Sequence, residues 1–127
     1  MPIRFHYDPE LRILFTTAEG SLTLAEILHH LAEEKQVRGL RHRELLDGSH
    51  AHLEVTSEEV RTLVEKLHAM QLETPFGPTA VVVSGDYFFG MASMLAILSE
   101  LRGGPTIGVF RGVNEALEWL VRIPPSA

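Results

Sequence analysis

Thr79-Ala80-Val81-Val82-Val83-Ser84, followed at once by Gly85-Asp86, decides the fold. An uncharged run dominated by β-branched side chains forms a strand buried on both faces, as in a parallel sheet covered by helices. Pro75, Gly77 and Pro78 break the chain before it, and Gly85 or Asp86 opens a helix after it, Tyr87 to Leu101. Gly103-Gly104-Pro105 ends that helix, and Thr106-Ile107-Gly108-Val109-Phe110 is the next strand. A last helix runs from about Val113 to Val121, with Ala116, Leu117, Leu120 and Val121 inward and Glu115, Glu118 and Arg122 outward. Pro124-Pro125 closes the domain. Strand and helix alternate here, and right-handed crossovers lay such strands parallel.

Towards the N-terminus, Ile3, Phe5 and Tyr7 alternate with Arg4 and His6, and the run Leu11 to Thr17 alternates again after Asp8-Pro9-Glu10. Two strands joined by a tight turn therefore make an opening hairpin, ended by Gly20. Thr23 caps a helix with apolar Leu24, Ile27, Leu28 and Leu31 on one side, leaving Glu26, His30, Glu33 and Glu34 mostly on other faces. Gly39 stops that helix or the loop behind it. Arg43-Glu44-Leu45-Leu46-Asp47 is a short strand and Gly48 to Val55 a polar loop. Thr56-Ser57-Glu58-Glu59 is a capping box opening a helix with Val60, Leu63, Val64 and Leu67 on one side. The order is ββαβαβαβα: one α/β domain over residues 1–127, mostly parallel, with an N-terminal antiparallel strand, about four helices, and 79–84 as the central strand.

A chain of 127 residues, 45% of them hydrophobic, can bury a core without disulfides or a structural metal. It has no cysteine, which excludes a disulfide scaffold, a thiolate zinc site, an iron–sulfur cluster and a cysteine nucleophile, and fits a cytoplasmic setting. Seventeen acidic residues against 11 basic ones oppose binding to nucleic acid or to an anionic membrane surface. Met1 to Tyr7 lacks the apolar run of a secretory signal, and Tyr87 to Leu98 is about half the ~20 residues of a membrane span.

In an open parallel sheet, ligands bind outside the carboxyl ends of the strands, where Glu19-Gly20, Asp47-Gly48-Ser49, Ser84-Gly85-Asp86 and Arg111-Gly112 stand. Asp47, Ser49, Ser84, Asp86 and Arg111 are thus ligand-binding candidates. They would line a polar crevice for an anionic or hydroxylated molecule, with Arg111 as its fixed positive charge. The same residue types also serve tight turns and helix caps. His50-Ala51-His52, with Asp47 and His42 close in sequence, places two imidazoles on one side of an extended segment. A metal needs three or four converging ligands and neither HExxH nor a cysteine is present, so these read as solvated loop histidines and no metal site is assigned. A hydrolase built on Asp47 with His50 or His52 ranks last among the readings. Gly90-Met91-Ala92-Ser93 misses the nucleophile-elbow spacing, Gly85 and Gly90 make no dinucleotide fingerprint, and no P-loop lysine is present. No catalytic residue and no cofactor is assigned.

The third helix carries a different signal. Ser93 and Glu100 mark the side meant for water, yet Phe89, Ala96 and Ile97 lie within about 40° of that line at 100° per residue. Such a face calls for cover by a neighbouring helix, a partner subunit or an apolar ligand, and a second subunit is the common solution. Phe89, Ser93, Ala96 and Ile97 are therefore the candidate interface of a homodimer, which Met91 and Met94 would also suit.

His6-Tyr7-Asp8-Pro9-Glu10 with Leu11-Arg12-Ile13, Gly20-Ser21-Leu22-Thr23, Leu45-Leu46-Asp47, Phe89-Gly90-Met91-Ala92-Ser93-Met94, and Val109-Phe110 with Ala116-Leu117-Glu118-Trp119-Leu120 follow one another in an order that resembles the SpoIIAA-like family, of STAS and CRAL-TRIO type fold. The resemblance covers nearly the whole chain and implies the same α/β architecture. STAS relatives are regulatory modules that bind anti-sigma kinases and are switched by phosphorylation of a serine at a helix start. Ser57 stands in a comparable place and joins the candidates, but the Asp-Ser-Ser-Gly-Leu type motif is absent, and Glu58 and Glu59 would repel a phosphate. CRAL-TRIO relatives bind lipids with extra helices, for which 127 residues leave little room. The resulting expectation is a non-enzymatic STAS-like regulatory or interaction domain, homodimeric, with a regulatory protein as possible partner. The alternative is a small-molecule domain for a lipid-like or carboxylate ligand, using the strand-end crevice and the third helix.

Overall fold

The computed structural model describes residues 3–37 and 42–123, with 35–37 described as backbone only. Gly39 and Pro124-Pro125, expected to stop the first helix and close the domain, lie outside the described residues. The elements are β1 (Ile3–Asp8), β2 (Ile13–Thr23), α1 (Leu24–Val37), β3 (Arg43–Glu54), α2 (Ser57–Glu73), β4 (Thr79–Val82), α3 (Gly85–Leu101), β5 (Ile107–Phe110) and α4 (Val113–Arg122). They form a five-stranded sheet in the order β1-β2-β3-β4-β5, with β1 antiparallel to β2 and the remaining pairs parallel. This is the expected ββαβαβαβα arrangement.

Four local expectations are corrected. The opening turn takes residues 9–12, because Asp8 Oδ1 accepts from the Glu10 and Leu11 amides at 2.9 and 3.0 Å and Arg12 adopts a left-handed φ of 57°. Gly20 does not end β2; it sits within it at φ 72°, just past a register shift between Thr17 and Glu19. Residues 48–54 are not a loop but the second half of β3, in which His50 to Glu54 pair residue by residue with Glu19 to Thr23. β3 is consequently the central strand, and β4 lies between β3 and β5. The valine run misled because β4 is also covered on both faces: Ala80 and Val82 pack towards one side, Val81 and Val83 towards the other.

The register shift has a visible cause. Between the pairs Thr17–Asp47 and Glu19–His50, β3 advances one residue more than β2, and the Asp47 carboxylate takes up the Ser49 amide at 3.0 Å. Gly48 is required at this bulge, since a Cβ there would stand 2.8 Å from the Phe88 ring and 2.9 Å from the Val82 carbonyl oxygen.

Among the described residues, one sheet face is covered by α4 alone, with Ile13, Leu45, Ala80, Val82, Ala116 and Leu120 packed together. Val121, expected inward, is 48% exposed because it lies past the edge of the stripe formed by Ala116, Leu117 and Leu120. Arg43 of β3 is buried under the end of α4, where its guanidinium donates to the Leu120 and Ile123 carbonyls at 3.0 and 2.8 Å and to that of Leu11. It thereby satisfies carbonyls at the α4 C-terminus and ties that helix to the hairpin turn. The other face carries α1, α2 and α3. Val60, Leu63, Val64 and Leu67 of α2 are buried there as expected, beneath a complete capping box between Thr56 and Glu59.

Candidate functional site

Helix α1 is aimed by its own capping box: the Thr23 amide donates to Glu26 Oε1 at 2.9 Å, and the Glu26 amide to Thr23 Oγ1 at 3.3 Å. Its inward stripe differs from the expected one. Leu24 and Leu28 are only half-buried, whereas His30 and Glu34, expected on other faces, are 3% and 2% exposed. The physical reason lies on the sheet beneath. Thr16 of β2 and Glu44 of β3 are both buried polar groups on this face, and an apolar helix face would leave them unsatisfied. α1 turns His30 and Glu34, one helical turn apart, to meet them.

The resulting cluster is compact. Thr16 Oγ1 donates to Glu44 Oε2 at 2.5 Å, and His30 Nε2 lies 3.0 Å from the same oxygen. His30 Nε2 also lies 3.4 Å from Glu34 Oε2, while Glu34 Oε1 is 2.7 Å from His42 Nε2. Glu34 Oε2 has no hydrogen-bond partner among the described residues. Phe5 packs edge-on against the His30 ring.

Burial, reinforced by the nearby charge of Glu44, pushes the Glu34 carboxyl up to about 9, so it holds its proton at neutral pH. For Glu44, burial is outweighed by the hydrogen bond and charge of His30 and by the Thr16 hydroxyl, and its pKa is lowered. Burial opposes the imidazolium form of His30, but the hydrogen bond and charge of Glu44 prevail and raise its pKa. One carboxylate and one carboxylic acid thus share a buried site with an imidazole whose protonated form they favour.

This cluster is the polar end of an apolar cleft between the sheet and helices α1, α2 and α3. Two adjoining cavities of about 100 and 90 Å³ share Ile27, Leu46, Leu63, Val81 and Leu95. The first continues over Leu53, Phe88 and Met91 with apolar walls throughout. The second ends on His30 and Glu44. A cavity of comparable size lined by Leu, Ile and Phe stays dry and takes up a small apolar molecule.

The candidates from the sequence lie elsewhere, around the row of the sheet where β4 and β5 end: Asp47 pairs with Val82, and Val82 with Phe110. Asp47 and Ser49 form the bulge, and Ser49 Oγ lies 3.2 Å from His50 Nδ1. Ser84 Oγ donates to the Ala51 carbonyl at 2.8 Å, tying the start of α3 to β3. Exposed Arg111 pairs with Asp86 at 3.1 Å and stacks over the ring of half-buried Phe89 at 4.3 Å. Ser57 is exposed at the first position of α2. His50 and His52 are exposed on β3 rather than on a loop. On α3, Phe89, Ser93 and Ala96 are half-buried and Ile97 is 59% exposed.

Thr16, His30, Glu34, His42 and Glu44 were missed as a site by the sequence reasoning. Two signals were available: His30 and Glu34 at helical i, i+4 spacing, and Glu44 as an acidic residue entering the apolar strand Leu45-Leu46.

Among the described residues, no helix is long and apolar enough to cross a membrane. No protein-family model matches the chain, and no curated protein matches its sequence. Among solved structures, the chain is similar to an uncharacterized protein of the DUF3478 family with a SpoIIAA-like fold from Shewanella loihica PV-4. The identity is 16% and the TM-score 0.57, over 93% of this chain and 91% of that one. The five-stranded mixed sheet with its four helices is thus a SpoIIAA-like α/β fold.

Proposed function

We propose that the chain is a non-enzymatic binding domain that takes a small, largely apolar molecule in the cleft between the sheet and helices α1–α3. The observation that carries this reading is the cleft itself: apolar walls converging on one polar end at His30 and Glu44. Its acidic end favours a head group that donates hydrogen bonds, an alcohol or amine, over a carboxylate. An anionic ligand would instead belong to the surface around Ser84 and Arg111, where it would have to compete with Asp86 for the guanidinium.

The test is thermal unfolding with 1-hexanol and with hexanoate. Hexanol at ten times its Kd should stabilise the protein by about 1.4 kcal/mol. Hexanoate should do markedly less, and Leu95→Phe, which fills the shared wall of both cavities, should abolish the hexanol effect. Equal, small responses of wild type and L95F would oppose the reading.

A second reading is an interaction module of STAS type that pairs through α3. It is supported by Ile97, exposed at 59% on the strip it shares with Phe89, Ser93 and Ala96. Ile97→Glu should then lower the molecular mass measured by light scattering without changing the circular dichroism spectrum; an unchanged mass would count against pairing. Phosphorylation at Ser57 fits poorly, because Glu58 and Glu59 occupy the same helix start.

A further inference from the structure

We propose that His30 Nε2, Glu34 Oε2 and Glu44 Oε2 form a binding site for one divalent transition-metal ion of the zinc or manganese class, reached from the apolar cleft. This inference rests on the cluster alone and does not depend on an apolar ligand being bound.

Geometry comes first. The three ligand atoms lie within 4.8 Å of one another, and the imidazole nitrogen is 3.0 Å from the Glu44 oxygen and 3.4 Å from the Glu34 oxygen. Two ligands each about 2.1 Å from a common ion are about 3.0 Å apart at octahedral angles and about 3.4 Å apart at tetrahedral ones. Both separations from His30 match those edges, and the two carboxylate oxygens lie within 4.8 Å of each other.

Glu34 supplies an independent observation. It is 2% exposed, and its Oε2 has no hydrogen-bond partner among the described residues although it points into the cluster. A buried polar oxygen without a partner is costly, and an ion that displaces the Glu34 proton would satisfy it.

Donor chemistry agrees. Binding would release the Glu34 proton and any proton on His30 Nε2; one imidazole nitrogen and two carboxylate oxygens then suit zinc or manganese, and the two carboxylates match the charge of a divalent cation in apolar surroundings. The groups behind the ligands are also in place: His42 Nε2 holds the second oxygen of Glu34 at 2.7 Å, and the Thr16 hydroxyl holds Glu44 at 2.5 Å. The cavity ending on His30 and Glu44 gives the ion a route and room for a water or ligand at an open position.

The competing explanation is a closed network that merely shares protons, and titration of chelator-treated protein with zinc chloride decides between them. Calorimetry should give one zinc ion per chain. Glu34→Gln, which keeps the shape of the protonated acid and hence the fold, should weaken binding by at least about tenfold, the scale on which even outer partners of a metal act. His50→Ala/His52→Ala should bind as the wild type does. A measurement that needs no variant is the histidine region of the NMR spectrum, where zinc should shift the His30 and His42 resonances and leave His50 and His52 in place. Absence of saturable binding, undiminished binding in E34Q, loss of binding in the His50/His52 variant, or shifts confined to His50 and His52 would each overturn the proposal.

Discussion

His30 Nε2 lies 3.0 Å from Glu44 Oε2 beneath helix α1, and this contact joins the helix to the central strand through a buried polar pair. Glu34, one turn along the helix, completes the cluster with its pKa raised to about 9, against a carboxyl value of 4.5 in the unfolded chain. The folded protein therefore keeps a proton that the unfolded chain has released. The contribution of Glu34 is fully present below about pH 4.5 and is lost progressively as pH rises towards 9. His30, also raised, acts in the same direction; Glu44, lowered, acts in the opposite one, its contribution being lost in acid. In metal-free buffer, unfolding free energy from urea titrations should fall between pH 5 and 9, and E34Q should flatten that slope. A slope unchanged by E34Q would show that Glu34 ionises normally.

Arg43 should be as sensitive to substitution as any core residue. Its guanidinium is buried and serves the carbonyls of Leu11, Leu120 and Ile123 at once. Arg43→Ala leaves those acceptors without a donor and α4 without its tie to the hairpin turn. A loss of about 2–4 kcal/mol is expected in urea unfolding. Arg43→Lys should recover only part of it, because an ammonium cannot span three carbonyls as a planar fork does.

Gly48→Ala tests the bulge. The new methyl group would meet the Phe88 ring at 2.8 Å and the Val82 carbonyl oxygen at 2.9 Å, and the backbone atom cannot swing aside. Destabilisation by about 1–3 kcal/mol is expected. A neutral result would mean that β3 is not bulged against α3.

Strand and helix order, the capping boxes at Thr23 and Thr56, and the buried stripe of α2 were legible in the sequence because each is set by local chemistry: alternation, 3.6-residue spacing and side-chain-to-amide hydrogen bonds. The extent of β3 was not. Gly48, Ser49, His50 and His52 are polar or turn-forming in isolation, and what makes them strand is the partner β2, about thirty residues away in the chain. The polar cluster was hidden for a similar reason. Taken alone, α1 has its apolar stripe at Leu24, Ile27, Leu28 and Leu31; only the buried Thr16 and Glu44 on the sheet turn His30 and Glu34 inward. The Asp47 and Ser84 motifs were read as strand-end chemistry, and they do lie where β4 and β5 end, but their side chains are engaged with backbone groups of the bulge and of β3.

The apolar cleft with its polar end is the feature on which the functional reading stands, and methyl-detected NMR during a 1-hexanol titration tests it most directly. Saturable shifts centred on Ile27, Leu46, Leu63, Val81 and Leu95, accompanied by a shift of the His30 ring and abolished in L95F, are expected. Shifts spread over exposed Leu72, Ile97 and Leu101 instead, or shifts that fail to saturate, would contradict it.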